Sequence, residues 1–242
     1  MAQHAKEHID QIPRVLLLGE TGVGKTVFAD YLGDHSTSVT RISIAEFVNK
    51  EDSFEYAFFG YCRGAYTSAK ESGNPGLLLE NIGKVLFLDE IGTATPAIQA
   101  KLLTFLDDFM VRPRGATQSL FCPLLIVAAT NENIRENTRY RNDLFQRFTD
   151  IHHIPPIREL KHNFHFIVDA MLQNPAVNMN GKIKEVGKKA FEQIQAKNYI
   201  DGNFRELNNL LRHACQRAVS FGRDYLVDED ILEVDIPQQT SQ

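Results

Sequence analysis

The sequence predicts an α/β fold, a parallel sheet covered by helices and followed by a small all-helical unit. Three observations carry this expectation. Short, continuously apolar runs alternate with helical stretches, as in strands buried on both faces. A complete phosphate-loop pattern, "GETGVGKT", lies between the first run and the first helix. Beyond Pro155 and Pro156 only helical periodicity is found.

In chain order, "RVLLLG" from Arg14 to Gly19 is a buried strand, followed by a helix from Lys25 towards Tyr31. "TRISI" near Ile42, "KVLFLD" ending at Asp89 and "PLLIVAAT" ending at Thr130 are the next strands. Between the last two, "TPAIQAKLLTFLDDF" has Pro96 in its first turn and Ile98, Leu102, Leu103 and Leu106 at helical spacing. "HIPPIREL" breaks the alternation, and helices are expected over roughly 160–173, 185–197 and 203–221, with no strand between them. There is no internal repeat and no low-complexity segment.

Composition narrows the function classes. The 242 residues are 43% hydrophobic, enough for one large domain or a large one with a small one. A net charge of −5 provides no overall basic field to hold nucleic acid. Cys62, Cys122 and Cys215 are widely spaced and odd in number, which argues against a disulfide framework or a zinc site and for a reducing cytoplasm. No apolar run has the length of a signal-peptide core or a membrane helix, so the expected protein is neither exported nor membrane-spanning.

The chemistry concentrates where the strands are expected to end. In Gly19, Glu20, Thr21, Gly22, Val23, Gly24, Lys25 and Thr26, the glycines let backbone N–H groups curl around a phosphate while the helix N-terminus adds its positive end. Lys25 is positioned for the outer phosphates of ATP and Thr26 for Mg²⁺. At the tip of "KVLFLDE", Asp89 can hold the magnesium shell, and Glu90 can orient or deprotonate the attacking water. An isolated apolar run ending in Asp-Glu is also what a strand with solvated end charges looks like; downstream of a complete phosphate loop the catalytic reading prevails. Thr130 and Asn131 end the next strand at the same expected sheet edge, where Asn131 can fix the water or sense the γ-phosphate.

In order, "GETGVGKT", "GAYTSA", "VLFLDEIG", "IQAKLL", "LLIVAATN", "YRNDLFQRF", "IPPIREL" and "GNFREL" resemble the central AAA+ ATPase domain of the bacterial enhancer-binding proteins that activate sigma-54 RNA polymerase. The resemblance runs from about Pro13 to Ile236. It implies a Mg²⁺-dependent P-loop ATPase with an extension over 1–12, an α/β nucleotide-binding subdomain over 13–157, a helical lid over 158–236 and a tail over 237–242. It implies that Arg141 and Arg147 are fingers reaching a neighbouring subunit's nucleotide, so that the active form is a homo-oligomeric ring, expected to be a hexamer that rests as a monomer or dimer. Arg205 is the matching sensor arginine. Gly64, Ala65, Tyr66, Thr67, Ser68 and Ala69 correspond to the loop that engages sigma-54.

Three departures from the family pattern stand out. Tyr66 replaces Phe and keeps the aromatic body, Ser68 replaces a Gly and loses conformational freedom, and Ser43 stands where an Asn usually switches the catalytic glutamate. Ser43 can still hydrogen-bond to Glu90. Roughly 20 residues follow the last helix, "RDYLVDEDILEVDIPQQTSQ", too few and too acidic for a DNA-reading module, so the expectation is either an isolated ATPase domain or a protein that leaves DNA binding to a partner. A regulator of the same branch with a different protein client, and a nucleotide-sensing module that hardly turns ATP over, are the alternatives. His152, His153, His162 and His165 lack an evident further ligand and read as a solvated or interfacial face.

Overall fold

A computed structural model of the chain describes residues 9–33, 38–65, 72–132 and 140–231. Two compact units are formed, Met1–Gly19 with Gly24–Ile154, and Glu20–Val23 with Pro155–Gln242.

The first unit is built on the expected parallel sheet. Its strands are β1 (Arg14–Leu18), β2 (Val39–Ser43), β3 (Val85–Asp89), β4 (Leu125–Thr130) and β5 (Asp150–His153). They lie in the order β2-β3-β4-β1-β5, every pair parallel. The register sets Leu18 beside Thr130 and His153, and Ser43 beside Asp89, so these strands finish along one edge.

Period-two alternation sends the apolar runs to two cores. Val15, Leu17, Phe87, Val127 and Ala129 pack with Ala29 of helix α1 (Lys25–Leu32). Leu16, Leu18, Leu86, Leu88, Ile126 and Ala128 join the larger cluster, with Phe54 and Phe58 of α2 (Glu51–Phe59) and Ile98, Leu102 and Phe105 of α3 (Pro96–Asp108). Pro96 opens α3 and the Thr95 hydroxyl accepts from the Ile98 amide at 3.4 Å, a start the sequence announces.

Besides the single-turn helices Leu77–Glu80 and Asn142–Phe145, three elements of this unit were not anticipated. Strand β5 is an edge strand whose four residues are all exposed, so "DIHH" carries no buried-strand pattern. Helix α2 is hidden by its aromatic density, because Phe54, Phe58 and Phe59 do not mark a clean polar face. The third is a minimal hairpin, Met110–Val111 paired with Leu120–Phe121, too short for any periodicity.

Helix α2 ends at Gly60, whose φ of 77° suits glycine, and a Cβ there would lie 2.4 Å from the Asn74 and Pro75 carbonyl oxygens. Immediately beyond, Tyr61 and Asn74 exchange two backbone hydrogen bonds of 2.8 Å, and the Cys62 amide donates to Arg114 O at 2.8 Å.

The second unit surrounds its own core with α4 (Phe164–Leu172), α5 (Lys188–Ala196) and α6 (Asn203–Ser220). Ile157, Phe164, Val168, Ile194, Leu207, Leu211 and Leu226 are buried there. The all-helical expectation needs one correction: Glu185–Val186 pairs in parallel with Tyr225–Leu226. Gly187 permits this approach, since its amide donates to Leu226 O at 2.8 Å and a Cβ would sit 2.9 Å from the same oxygen. Among the described residues no helix is long and apolar enough to cross a membrane.

Phe54 is fully buried, with its ring stacked 4.2 Å from that of Phe58. Phe54→Ala is expected to destabilise the protein by about 3–5 kcal/mol. A lower urea midpoint with an unchanged slope is the expected readout, and an unshifted midpoint would contradict this packing.

Candidate functional site

The amide of Gly19 donates to Thr130 O at 3.3 Å, extending the β1–β4 ladder by one bond before the chain turns. Gly22 and Gly24 then take positive φ, 79° and 95°. Gly24 is the N-cap of α1 and brings no capping side chain. The Lys25 ammonium folds back to donate to Gly19 O at 2.8 Å. An uncapped helix N-terminus beside a lysine suits a phosphate, and the hard oxygens of Thr26, in the first turn, and Asp89 suit Mg²⁺, so the residues present fit Mg-ATP.

The tip of the loop is fastened within the second unit. Arg158 donates Nη1 to Glu20 Oε2 at 2.7 Å and Nη2 to Oε1 at 2.5 Å. Asn203 Nδ2 donates to Glu20 Oε2 at 3.1 Å and to Thr21 O at 3.0 Å, while the Phe204 amide donates to Gly22 O at 3.1 Å. The approach is so close that a Cβ on Gly22 would lie 2.1 Å from Gly202 O. The Arg158 hydrogen bonds, then that of Asn203, hold the Glu20 carboxyl down at about 2. Arg205 is exposed in the first turn of α6, its Cβ 3.4 Å from that hypothetical Gly22 methyl.

At the end of β3, Asp89 Oδ1 accepts from the Glu90 amide at 2.9 Å. Glu90 is left-handed (φ 55°, ψ 40°), a conformation that disfavours a non-glycine residue by roughly 1 kcal/mol. Its carbonyl accepts from the Thr93 amide at 2.9 Å and the Thr93 hydroxyl at 2.8 Å. Its side chain accepts the hydroxyl of Ser43 at 2.8 Å, the hydrogen bond expected from the sequence. At the end of β4, Thr130 is buried and its hydroxyl accepts from the Glu132 amide at 3.1 Å, while Asn131 is exposed just beyond. Gly92 is required here, because a Cβ would meet Thr130 Oγ1 at 2.5 Å.

Both finger candidates form surface ion pairs within their own chain. Arg141 grips Asp143 through Nε at 3.1 Å and Nη2 at 2.7 Å, which lowers the aspartate's proton affinity. Arg147 pairs with Asp107 of α3. Gln99, buried in α3, accepts from the Arg141 amide at 2.9 Å and donates to Ala94 O at 2.8 Å. Gly64 turns at φ 71° and the Ala65 amide donates to Cys62 O at 3.1 Å; Tyr66, Thr67, Ser68 and Ala69 lie outside the described residues.

Three residues important to this geometry had no role assigned from sequence: Arg158, Asn203 and Gln99. Arg158 and Asn203 were visible only as parts of "IPPIREL" and "GNFREL", because their partners stand more than a hundred positions away. Gln99 had a usable signal, a polar residue adjoining Ile98 on the buried face of a helix. Among the described residues no group of three or more His, Cys, Asp or Glu is placed to hold a metal, and His152 instead packs its ring 5.8 Å from Phe28. Burial pushes the Cys122 thiol up to about 12 and that of Cys215 to about 11, so both remain protonated at neutral pH.

A five-stranded parallel sheet of this order, with a glycine-rich loop after its first strand, is the AAA+ P-loop NTPase architecture. Solved structures agree on the fold: NtrX from Brucella abortus in complex with ATP (TM-score 0.74, 22% identity, covering 98% of this chain and 56% of that one) and the Thermotoga maritima RuvB Holliday junction branch migration motor (TM-score 0.60, 19% identity, covering 95% and 66%). The family model of the sigma-54 interaction domain matches residues 1–153, and the chain belongs to that family. Relatives include the nitric oxide reductase transcription regulator NorR1 of Cupriavidus necator, 32% identical over 91% of this chain and 45% of its own length. The hydrogenase transcriptional regulatory protein HoxA of Bradyrhizobium diazoefficiens is 32% identical over 90% and 45%. The chain thus spans about half the length of the curated relatives it matches.

Because Glu20 is ionised far below the ordinary carboxylate value of 4.5, its pairing stabilises the fold fully above that value, and the contribution is lost as pH falls towards about 2. Stability measured over this window is expected to fall more steeply for the wild type than for Glu20→Gln. Parallel curves would show that the pairing does not persist in solution.

Proposed function

We propose that this domain hydrolyses ATP as a homo-oligomeric ring, in the family's manner a hexamer, and uses turnover to drive the 64–69 loop against sigma-54 RNA polymerase in the cytoplasm. The observation that carries the reading is the Ser43–Glu90 hydrogen bond of 2.8 Å beside Asp89, on the sheet edge where β1 delivers the phosphate loop. Lys25 and the first amides of α1 bind the phosphates of ATP. Thr26 and Asp89 would hold Mg²⁺, which when bound would neutralise phosphate charge. Glu90 orients or deprotonates the attacking water, and Asn131 fixes that water or senses the γ-phosphate. Arg141 and Arg147 act in trans, leaving Asp143 and Asp107 for the phosphates of the adjacent subunit. Residues 158–236 serve as a lid through which Arg205 follows nucleotide state, and Glu90 signals to the 64–69 loop through Ser43. Tyr66 and Thr67 make the client contact.

A second reading keeps the engine and changes the client. The sequence itself motivates it, since Ser68 stands where the family has glycine.

Lys25→Ala and Glu90→Gln are each expected to reduce steady-state ATP hydrolysis at least about a hundredfold. Normal turnover in either would refute the site assignment. Mixing Arg141→Ala with Lys25→Ala subunits is expected to restore part of the activity at mixed interfaces, and absence of rescue would count against fingers acting in trans. Stable capture of sigma-54 by the protein loaded with ADP and aluminium fluoride is the expected sign of the first client. ATPase activity without capture would favour the second reading.

A further inference from the structure

We propose that Arg158 and Asn203 are positioning residues of the phosphate loop, which neutralise Glu20 and aim the Gly22 and Val23 amides at the bound phosphate. The inference rests on the nucleotide-site reading and adds residues to it. A carboxylate inside an anion-binding loop is a liability, because its charge repels the phosphates the loop must hold. Here both carboxylate oxygens are occupied: Oε1 accepts from Arg158, and Oε2 accepts from Arg158 and Asn203. A forked, charge-assisted pair of this kind compensates the charge and fixes its direction.

The backbone contacts set orientation. In a trans peptide the C=O and the following N–H point in opposite directions, and no peptide bond among the described residues is cis. Thr21 O accepts from Asn203 Nδ2 at 3.0 Å, so the Gly22 N–H points away from Asn203. Gly22 O accepts from the Phe204 amide at 3.1 Å, so the Val23 N–H points away from α6. Two successive amides are thereby released from protein acceptors on that side, as an anion-binding nest requires. The anchor is itself fixed. Asn203 is fully buried and left-handed (φ 47°), and its Oδ1 accepts from the Ile157 amide at 3.0 Å, next to Arg158 in the chain.

The test combines fluorescent mant-ADP titration, ATP kinetics and hydrogen exchange of the nucleotide-free protein. Arg158→Ala is expected to raise the mant-ADP Kd about tenfold, with KM rising similarly and kcat within about twofold. Arg158→Lys is expected to fall between, since it keeps the charge and loses the fork. Glu20→Gln combined with Arg158→Ala is expected to recover most of the lost affinity, because the uncompensated carboxylate is gone; a purely structural role for Arg158 would give no such rescue. Exchange of the 20–24 amides is expected to accelerate in Arg158→Ala. Wild-type affinity in Arg158→Ala, or a double variant no tighter than the single one, would overturn the proposal. Should the wild type bind no mant-ADP, the nucleotide reading itself fails. Unchanged loop exchange in Arg158→Ala overturns the positioning role independently. If Arg158→Ala does not fold, Arg158→Lys and Glu20→Gln carry the same measurements.

Discussion

Strand β1 is hydrogen-bonded to β4 on one side and β5 on the other, with a packed cluster against each face. A strand held in four directions cannot slip, because moving it by one residue would exchange its two buried faces and break both ladders. Its last residues are therefore fixed, and with them the point at which Gly19 leaves the sheet. The positive φ of Gly22 and Gly24 does the rest, turning the chain back into α1 within a few residues. Parallel register extends the constraint to the neighbouring strand ends, so that Asp89 and Thr130 finish along the edge where β1 ends.

Ion pairs in this chain separate into held and releasable ones. Arg223 and Asp230 show what a structural pair looks like in this chain: the aspartate side chain is fully buried, takes both guanidinium donors at 2.6 and 2.8 Å, and also accepts from the Val227 amide at 2.9 Å. Breaking such a pair would strand a buried charge. Arg141–Asp143 and Arg147–Asp107 are different, with all four side chains over 40% exposed. Exposed pairs of this kind are worth about 0–1 kcal/mol, so in the proposed ring a phosphate presented by another subunit would displace the aspartates at little cost. Their intramolecular pairing is thus compatible with the proposed role in trans.

What was legible in the sequence follows from burial. Strands β1, β3 and β4 have both faces covered, so each reads as an apolar run, leading into Gly19, Asp89 and Thr130 respectively, and the motif readings followed directly. The edge strand "DIHH" and the two-residue pairs Met110–Val111 with Leu120–Phe121 and Glu185–Val186 with Tyr225–Leu226 bury too little in sequence order to leave a pattern. In the site, the glycines, Lys25, Asp89 and Glu90 were readable because local spacing defines their roles. The Glu20–Arg158–Asn203 clamp was not, because it is made between residues 138 and 183 positions apart and depends on the left-handed turn at Asn203.

Ser43 shows how register can compensate for a shorter side chain. An asparagine amide reaches farther than a serine hydroxyl, yet β2 and β3 pair so that Ser43 lies directly beside Asp89, one residue from Glu90. The left-handed turn at Glu90 then keeps its carboxylate close enough for a 2.8 Å bond. A hydroxyl has one proton to donate, whereas a primary amide has two. In the proposed motor, once Glu90 turned to a water or a phosphate-bound partner, Ser43 could not keep a second donor on it, so the link would have two states, made or broken. A single exposed hydrogen bond of about 1 kcal/mol is weak enough for nucleotide occupancy to decide between them. In the proposed motor, that makes the substitution at Ser43 a lowering of the coupling energy between Glu90 and β2, with the connection itself retained.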